Sequence, residues 1–180
     1  IETINLELIF ADLETIEKRL ERAKKLLKAD KKYQFEIDTL EKVKEVLDNG
    51  KCARTLSYTD EEKEVLKESF LLTLKPVLYV ANVSEDEIEN CENNSNVLKV
   101  KEYAKSEGAD VIPLCVKIEE ELSTLEKDDK IEMLQALGLE ESGLDKLIKA
   151  SYKLLGLMSF LTAGEPEVRA WTIKIGTKAP

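Results

Sequence analysis

The chain has 180 residues, 43% of them apolar, 36% charged and 6% aromatic, and it carries a net charge of −10 with no histidine. An acidic excess of this size argues against a whole-surface grip on nucleic acid, whose phosphates need concentrated Lys and Arg. The missing histidine removes the commonest general base, the commonest zinc ligand and the Ser-His and Cys-His nucleophile pairs.

From the first residue, Leu6, Ile9, Leu13, Ile16, Leu20, Ala23 and Leu27 recur at alternating steps of three and four. That is the apolar seam of a helix in a coiled coil. Charged residues fill the other positions, with i,i+4 pairs such as Glu14–Lys18 and Glu21–Lys25. Asp30-Lys31-Lys32 reads as a polar turn. A second stripe, Tyr33, Ile37, Leu40, Val43 and Leu47, ends at the helix stop Asn49-Gly50. Two amphipathic helices with a short link fold back antiparallel, so residues 1–58 are expected to form a coiled-coil hairpin. Lys24, Lys25, Lys28, Lys31 and Lys32 make a local basic cluster near its tip. The plain reading of that cluster is a solvated tip; the sharper one is a contact with RNA or a ribosome.

Thr59 or Asp60 caps the next helix, which the pattern carries to near Thr73, before Pro76. Val77–Ala81 then reads as a buried strand, and residues 92–96, "ENNSN", as a loop. Val97–Ser106 reads as a helix closed by Gly108, and residues 109–116 as a second strand with Pro113 near its end or at an edge. Strand, helix and strand in this order make a βαβ unit with parallel strands. Further helices are expected from "KIEEELSTL", over 128–138 and over Ser142–Leu157. "EVRAWTIKI" (167–175) alternates as a strand. Cys52, Cys91 and Cys115 are scattered without a CxxC spacing and read as reduced thiols of a cytosolic protein. No apolar run approaches the ~18 residues of a membrane span, and residues 1–20 lack the basic start of a signal peptide.

In an open α/β sheet, ligands bind at the carboxyl ends of the strands, where Asn82 and Glu85 follow the first strand. From spacing alone the plainer reading of these two is a strand-end turn and a helix cap. The flanking residues carry a resemblance. "IEKRLERA" (16–23) in the heptads, then "LTLKPVLYVANVSEDE" (72–87), then "FLTAGEPEVRAWTIKIGTKAP" (160–180) resemble, in this order, the YchF/Obg-like ATPase family. These are P-loop NTPases of the translation-factor class with a coiled-coil insertion and a TGS domain.

The resemblance implies an α/β fold: a partial P-loop NTPase domain bearing the helical hairpin, with residues 59–158 the later part of the nucleotide domain and 159–180 the start of TGS. It implies ATP as ligand, GTP more weakly, a ribosome-associated protein, and Mg²⁺ in the intact protein. Asn82-Val83-Ser84-Glu85 stands where related GTPases carry NKxD. Moving or lengthening the carboxylate breaks its bidentate fit to guanine. Asn82, Val83 and Glu85, with Cys115, Val116 and Lys117 at the second strand end, are the implied base-contacting residues. Cys115 and Val116 depart from the small Ser-Ala pair usual in the family. No GxxxxGK[ST] phosphate loop occurs in these residues. With Ile1 as its first residue, the chain reads as a fragment of a longer protein, not expected to hydrolyse ATP alone. The other reading is a non-catalytic coiled-coil module that binds a ribosome or another protein.

Overall fold

The computed structural model describes residues 1–165 and 167–178. They divide into two compact units, Ile1–Pro76 and Val77–Pro180.

The first unit is helical. Helix α1 (Glu2–Leu27) buries Ile9, Asp12, Ile16, Leu20 and Ala23, and α2 (Tyr33–Asp48) buries Ile37, Thr39, Leu40, Val43 and Leu47. The link Lys28–Lys32 is tightened by Asp30, whose Oδ1 accepts the Lys32 N–H at 2.9 Å. Polar partners flank the buried seam: Lys44–Glu17 at 2.9 Å, Lys24–Glu41 at 2.7 Å, and Arg19 between Glu36 (2.7 Å) and the Ser69 hydroxyl (2.6 Å). The exposed lysine pairs add little stability individually, the Arg19 contacts are part-buried, and the apolar seam carries most of the stability.

Helix α3 (Asp60–Lys67) starts with a capping box. The Thr59 hydroxyl accepts from the Glu62 amide at 3.2 Å, and the Glu62 carboxylate accepts from the Thr59 amide at 2.8 Å. The apolar pattern predicts a helix reaching Thr73, but α3 ends at Lys67. The cause lies in α1. Asp12, 2% exposed, accepts the Leu72 amide at 2.8 Å, the Thr73 amide at 2.7 Å and the Thr73 hydroxyl at 2.6 Å. A continued helix would give those amides to its own carbonyls. Instead the chain turns, and Phe70 takes a positive φ of 50° while 79% exposed. Replacing Asp12 by Ala leaves the part-buried Leu72 amide and the fully buried Thr73 amide without this acceptor and is expected to cost about 3 kcal/mol, read as a lower urea midpoint at unchanged m-value. Asp12→Asn, which keeps one acceptor, loses less.

The second unit holds the βαβ element. Strand β1 (Leu78–Asn82) and strand β2 (Asp110–Leu114) pair in parallel, with Val80 opposite Ile112 and Asn82 opposite Leu114. Helix α4 (Ser95–Glu107) is the crossover; Asn94 caps it by accepting from the Asn96 and Val97 amides, and Gly108 closes it in the left-handed conformation. The helix therefore starts inside the expected 92–96 loop. The Leu114 carbonyl accepts from Val83. By the alternation of a parallel ladder, Pro113 then has its missing N–H on the side away from β1, where no bond is lost. Val83, Ile88, Val97, Cys115, Ile118, Leu122 and Leu134 form the core of this unit.

Helices α5 (Val116–Thr124), α6 (Lys127–Ala136) and α7 (Gly143–Leu154) follow. Val116 thus opens a helix rather than ending a strand, and Lys117 sits in a first helical turn. Helix α7 stops before Leu157. A left-handed Gly156 breaks the pattern, and Leu157–Ala163 forms strand β3, which the reading of 142–157 as one helix concealed. Strand β4 (Val168–Lys174) pairs antiparallel with β3, placing Phe160 opposite Trp171 and Met158 opposite Ile173. Pro166, Ala179 and Pro180, within the segment expected to open a TGS module, lie outside the described residues.

Candidate functional site

The carboxyl ends of β1 and β2 bring the six predicted strand-end residues together. Asn82 is the last residue of β1, and its side-chain Oδ1 accepts the Val116 amide at 3.1 Å. This bond ties the loop after β1 to the first turn of α5. Its Nδ2 protons have no partner among the described residues. Glu85 and Lys117 meet across the same rim, with Lys117 Nζ 2.9 Å from Glu85 Oε1 and 3.0 Å from Oε2. That hydrogen bond, with the Glu85 charge, holds the Lys117 ammonium above the usual lysine range. Both side chains are largely open to water, so the pair is worth little in stability and is free to exchange partners.

The six residues divide by burial. Val83 and Cys115 are 8% and 4% exposed, and their side chains belong to the core. Only their backbone reaches the rim, and the Val83 amide is already given to Leu114 at 2.9 Å. The Val116 amide is likewise taken by Asn82, while its side chain is 54% exposed. What the rim offers a ligand is therefore the Asn82 amide nitrogen, the Glu85 carboxylate, the Lys117 stem and ammonium, and the Val116 side chain.

Two carboxylates that sequence reasoning passed over, Glu87 and Glu119, hold this rim. Glu87 accepts from the Ser84 hydroxyl at 2.7 Å through one oxygen and from Asn94 Nδ2 at 2.7 Å through the other, fixing the Glu85 loop to the start of α4. Glu119 accepts the Gly143 amide at 2.7 Å and the Leu144 amide at 3.1 Å. Ser84-x-x-Glu87 was visible as a capping pattern. The link from residue 119 to 143 leaves no local signal. A cavity of about 440 Å³ runs beside β2, lined by Asp110–Cys115 with Ile88, Cys91 and Gly143. Asn82, Glu85, Val116 and Lys117 do not line it, so the rim is an open surface at its flank.

The basic cluster lies on the last turns of α1 and the link, and all five lysines are exposed. Lys24 is paired with Glu41 and Lys32 with Asp30, which raises the Lys32 pKa through their hydrogen bond. Lys25, Lys28 and Lys31 make no ion pair among the described residues. No group of three or more Cys, Asp or Glu side chains among the described residues is placed to hold a metal ion, and no helix is long and apolar enough to cross a membrane.

A parallel βαβ unit with its crossover helix defines an α/β protein, a class whose open sheets bind ligands at the strand ends. The chain is 56% identical over 181 residues to the ribosome-binding ATPase YchF of Bacillus subtilis, taking in all of this chain and 50% of that protein. It is 44% identical over 181 residues to the ribosome-binding ATPase YchF of Escherichia coli O157:H7, covering 49% of it. It is 38% identical over 188 residues to Obg-like ATPase 1 of Saccharomyces cerevisiae, covering 47%. The solved Schizosaccharomyces pombe YchF GTPase superposes with a TM-score of 0.87 at 34% identity, over 98% of this chain and 49% of that one. No protein-family model matches the chain. Along its whole length the chain belongs to the YchF/Obg-like family, and it spans about half the length of the relatives it matches.

Removal of the Asn82 side chain tests the local geometry. Asn82→Ala is expected to speed hydrogen exchange at the Val116 amide about tenfold, the loss of one net hydrogen bond, while the amides of β2 keep their protection.

Proposed function

We propose that the rim reads the base of a purine nucleotide, ATP in preference to GTP, and that the intact protein hydrolyses ATP in the cytoplasm in association with the ribosome. In this reading the second unit is the later part of a P-loop NTPase domain, the helical hairpin is a coiled coil, and the β3–β4 hairpin opens a TGS domain. The observation that carries the proposal is the Asn82–Val116 bond, which joins two strand-end loops into one rim bearing a free amide donor and a carboxylate. Support comes also from the relatives, which carry the names ribosome-binding ATPase and GTPase.

The chemistry suits a purine. The Asn82 Nδ2 protons complement the N7 acceptor, Glu85 accepts from the adenine N6 amine, and the aliphatic stem of Lys117 lies along a ring face. Guanine presents an O6 acceptor where adenine presents an amine, so a carboxylate at that edge rejects it. The phosphates and Mg²⁺ require a phosphate loop and metal ligands. The described residues contain neither a phosphate loop nor a group of carboxylates and thiols placed to hold a metal ion, so they do not fit that task.

In the full-length protein, GTP is expected to displace labelled ATP less effectively than ATP itself, and Glu85→Asp to move the ATP/GTP preference by about tenfold. An unchanged ratio would remove Glu85 as the selectivity residue.

The exposed lysine cluster supports a partner-binding role for the hairpin. Positive groups clustered on an acidic protein steer toward phosphate-rich surfaces. Reversal of the unpaired Lys25, Lys28 and Lys31 to Glu is expected to reduce ribosome co-sedimentation at low salt, with little difference left near 1 M salt, where screening is nearly complete. Equal sedimentation at low salt would leave the cluster as a solvated tip.

A further inference from the structure

We propose that Glu119 is a positioning residue for the strand-end rim, bracing the first turn of α5 against the first turn of α7; the functional part of the proposal rests on the nucleotide reading above. Glu119 works from both its backbone and its side chain. Its amide donates to the Cys115 carbonyl at 3.1 Å, closing the first turn of α5, the turn that carries Val116 and Lys117. Its carboxylate takes the Gly143 and Leu144 amides at 2.7 and 3.1 Å. These are first-turn donors of α7 with no partner inside their own helix, and a carboxylate is favoured there by the helix dipole.

Gly143 makes the brace possible. A Cβ at this position would stand 2.6 Å from Leu114 Cβ and 2.9 Å from Glu119 Oε1. The α7 backbone therefore presses directly on the last residue of β2, and only a glycine permits it. Ser142, fully buried, fixes the same helix start by accepting from the Asp145 amide at 3.1 Å. One continuous set of bonds runs from Asn82 through the Val116 amide, the α5 turn and the Glu119 carboxylate to α7. Because Asn82 holds Val116 by a single exposed bond, the angle of α5 at that end is set from the other side, by Glu119.

The test uses the full-length protein, with Glu119→Ala, the isosteric Glu119→Gln and Gly143→Ala. Amide exchange is read by NMR, and labelled ATP is competed by ATP and by inorganic tripolyphosphate, which has no base to position. Glu119→Ala is expected to speed exchange at Val116, Gly143 and Leu144 and to weaken ATP about tenfold, the scale of a charge-assisted bond, while tripolyphosphate competes as in the parent. Glu119→Gln should fall between, and Gly143→Ala should resemble Glu119→Ala. Unchanged Val116 exchange in a folded Glu119 variant overturns the proposal. So does a parallel loss of ATP and tripolyphosphate, which marks general loosening. Faster Val116 exchange in a protein whose parent form shows no base preference sustains the brace and overturns the nucleotide reading instead.

Discussion

The candidate site depends on the parallel pairing of β1 with β2 and on the bond that extends it. Register places Asn82 opposite Leu114, the last paired residue of β2. The backbone ladder continues one step further, through the Val83 amide to the Leu114 carbonyl, and then hands over to a side chain, with Asn82 Oδ1 taking the Val116 amide. A shift of one residue would turn every strand side chain to the other face. It would withdraw Val83 and Cys115 from the core and move Glu85 away from Lys117. Core packing and rim chemistry are thus set by a single register.

This explains how residues so different in burial share one rim. Val83 and Cys115 anchor the strand ends from below, as small apolar groups among Ile88, Val97, Ile118 and Leu122. Asn82, Glu85, Val116 and Lys117 stand above them in contact with water. The Glu85–Lys117 pair adds a charge arrangement that is neutral overall yet offers both an acceptor and a cation.

Much of the fold was legible because it rests on local periodicity. The two long helices follow from steps of three and four, and the strand–helix–strand order follows from apolar runs broken by Asn94 and Gly108. The failures share a physical cause, in that a distant partner overrode a local pattern. Helix α3 looked extendable to Thr73, but Asp12, some sixty residues away, takes the Leu72 and Thr73 amides. The segment before Leu157 continued an apolar helix until Gly156 turned the chain into β3. Val116 belonged to the apolar run of β2 in sequence, yet it opens α5 because its amide is drawn to Asn82. At the site, residue types and their strand-end positions could be read from sequence, whereas Glu119 and Gly143 could not, since neither carries a signal outside the packed structure.

Exposed apolar surface is distributed just as unevenly. Leu144 and Ile148 on α7, and Phe160, Leu161, Val168 and Trp171 on the hairpin, are all more than a third exposed. A two-stranded hairpin alone is marginal in water. The Ile175 amide closes the open end of this one by donating to the Gly156 carbonyl at 2.8 Å, and α7 adds Tyr152, whose hydroxyl lies 3.2 Å from that of Thr172. Within the hairpin, Trp171 donates to the Thr162 hydroxyl and lies under the Arg169 guanidinium. Helix α7 therefore serves two elements. Its first turn is held by Glu119 beside the rim, and Tyr152 in its last turn meets Thr172 of β4.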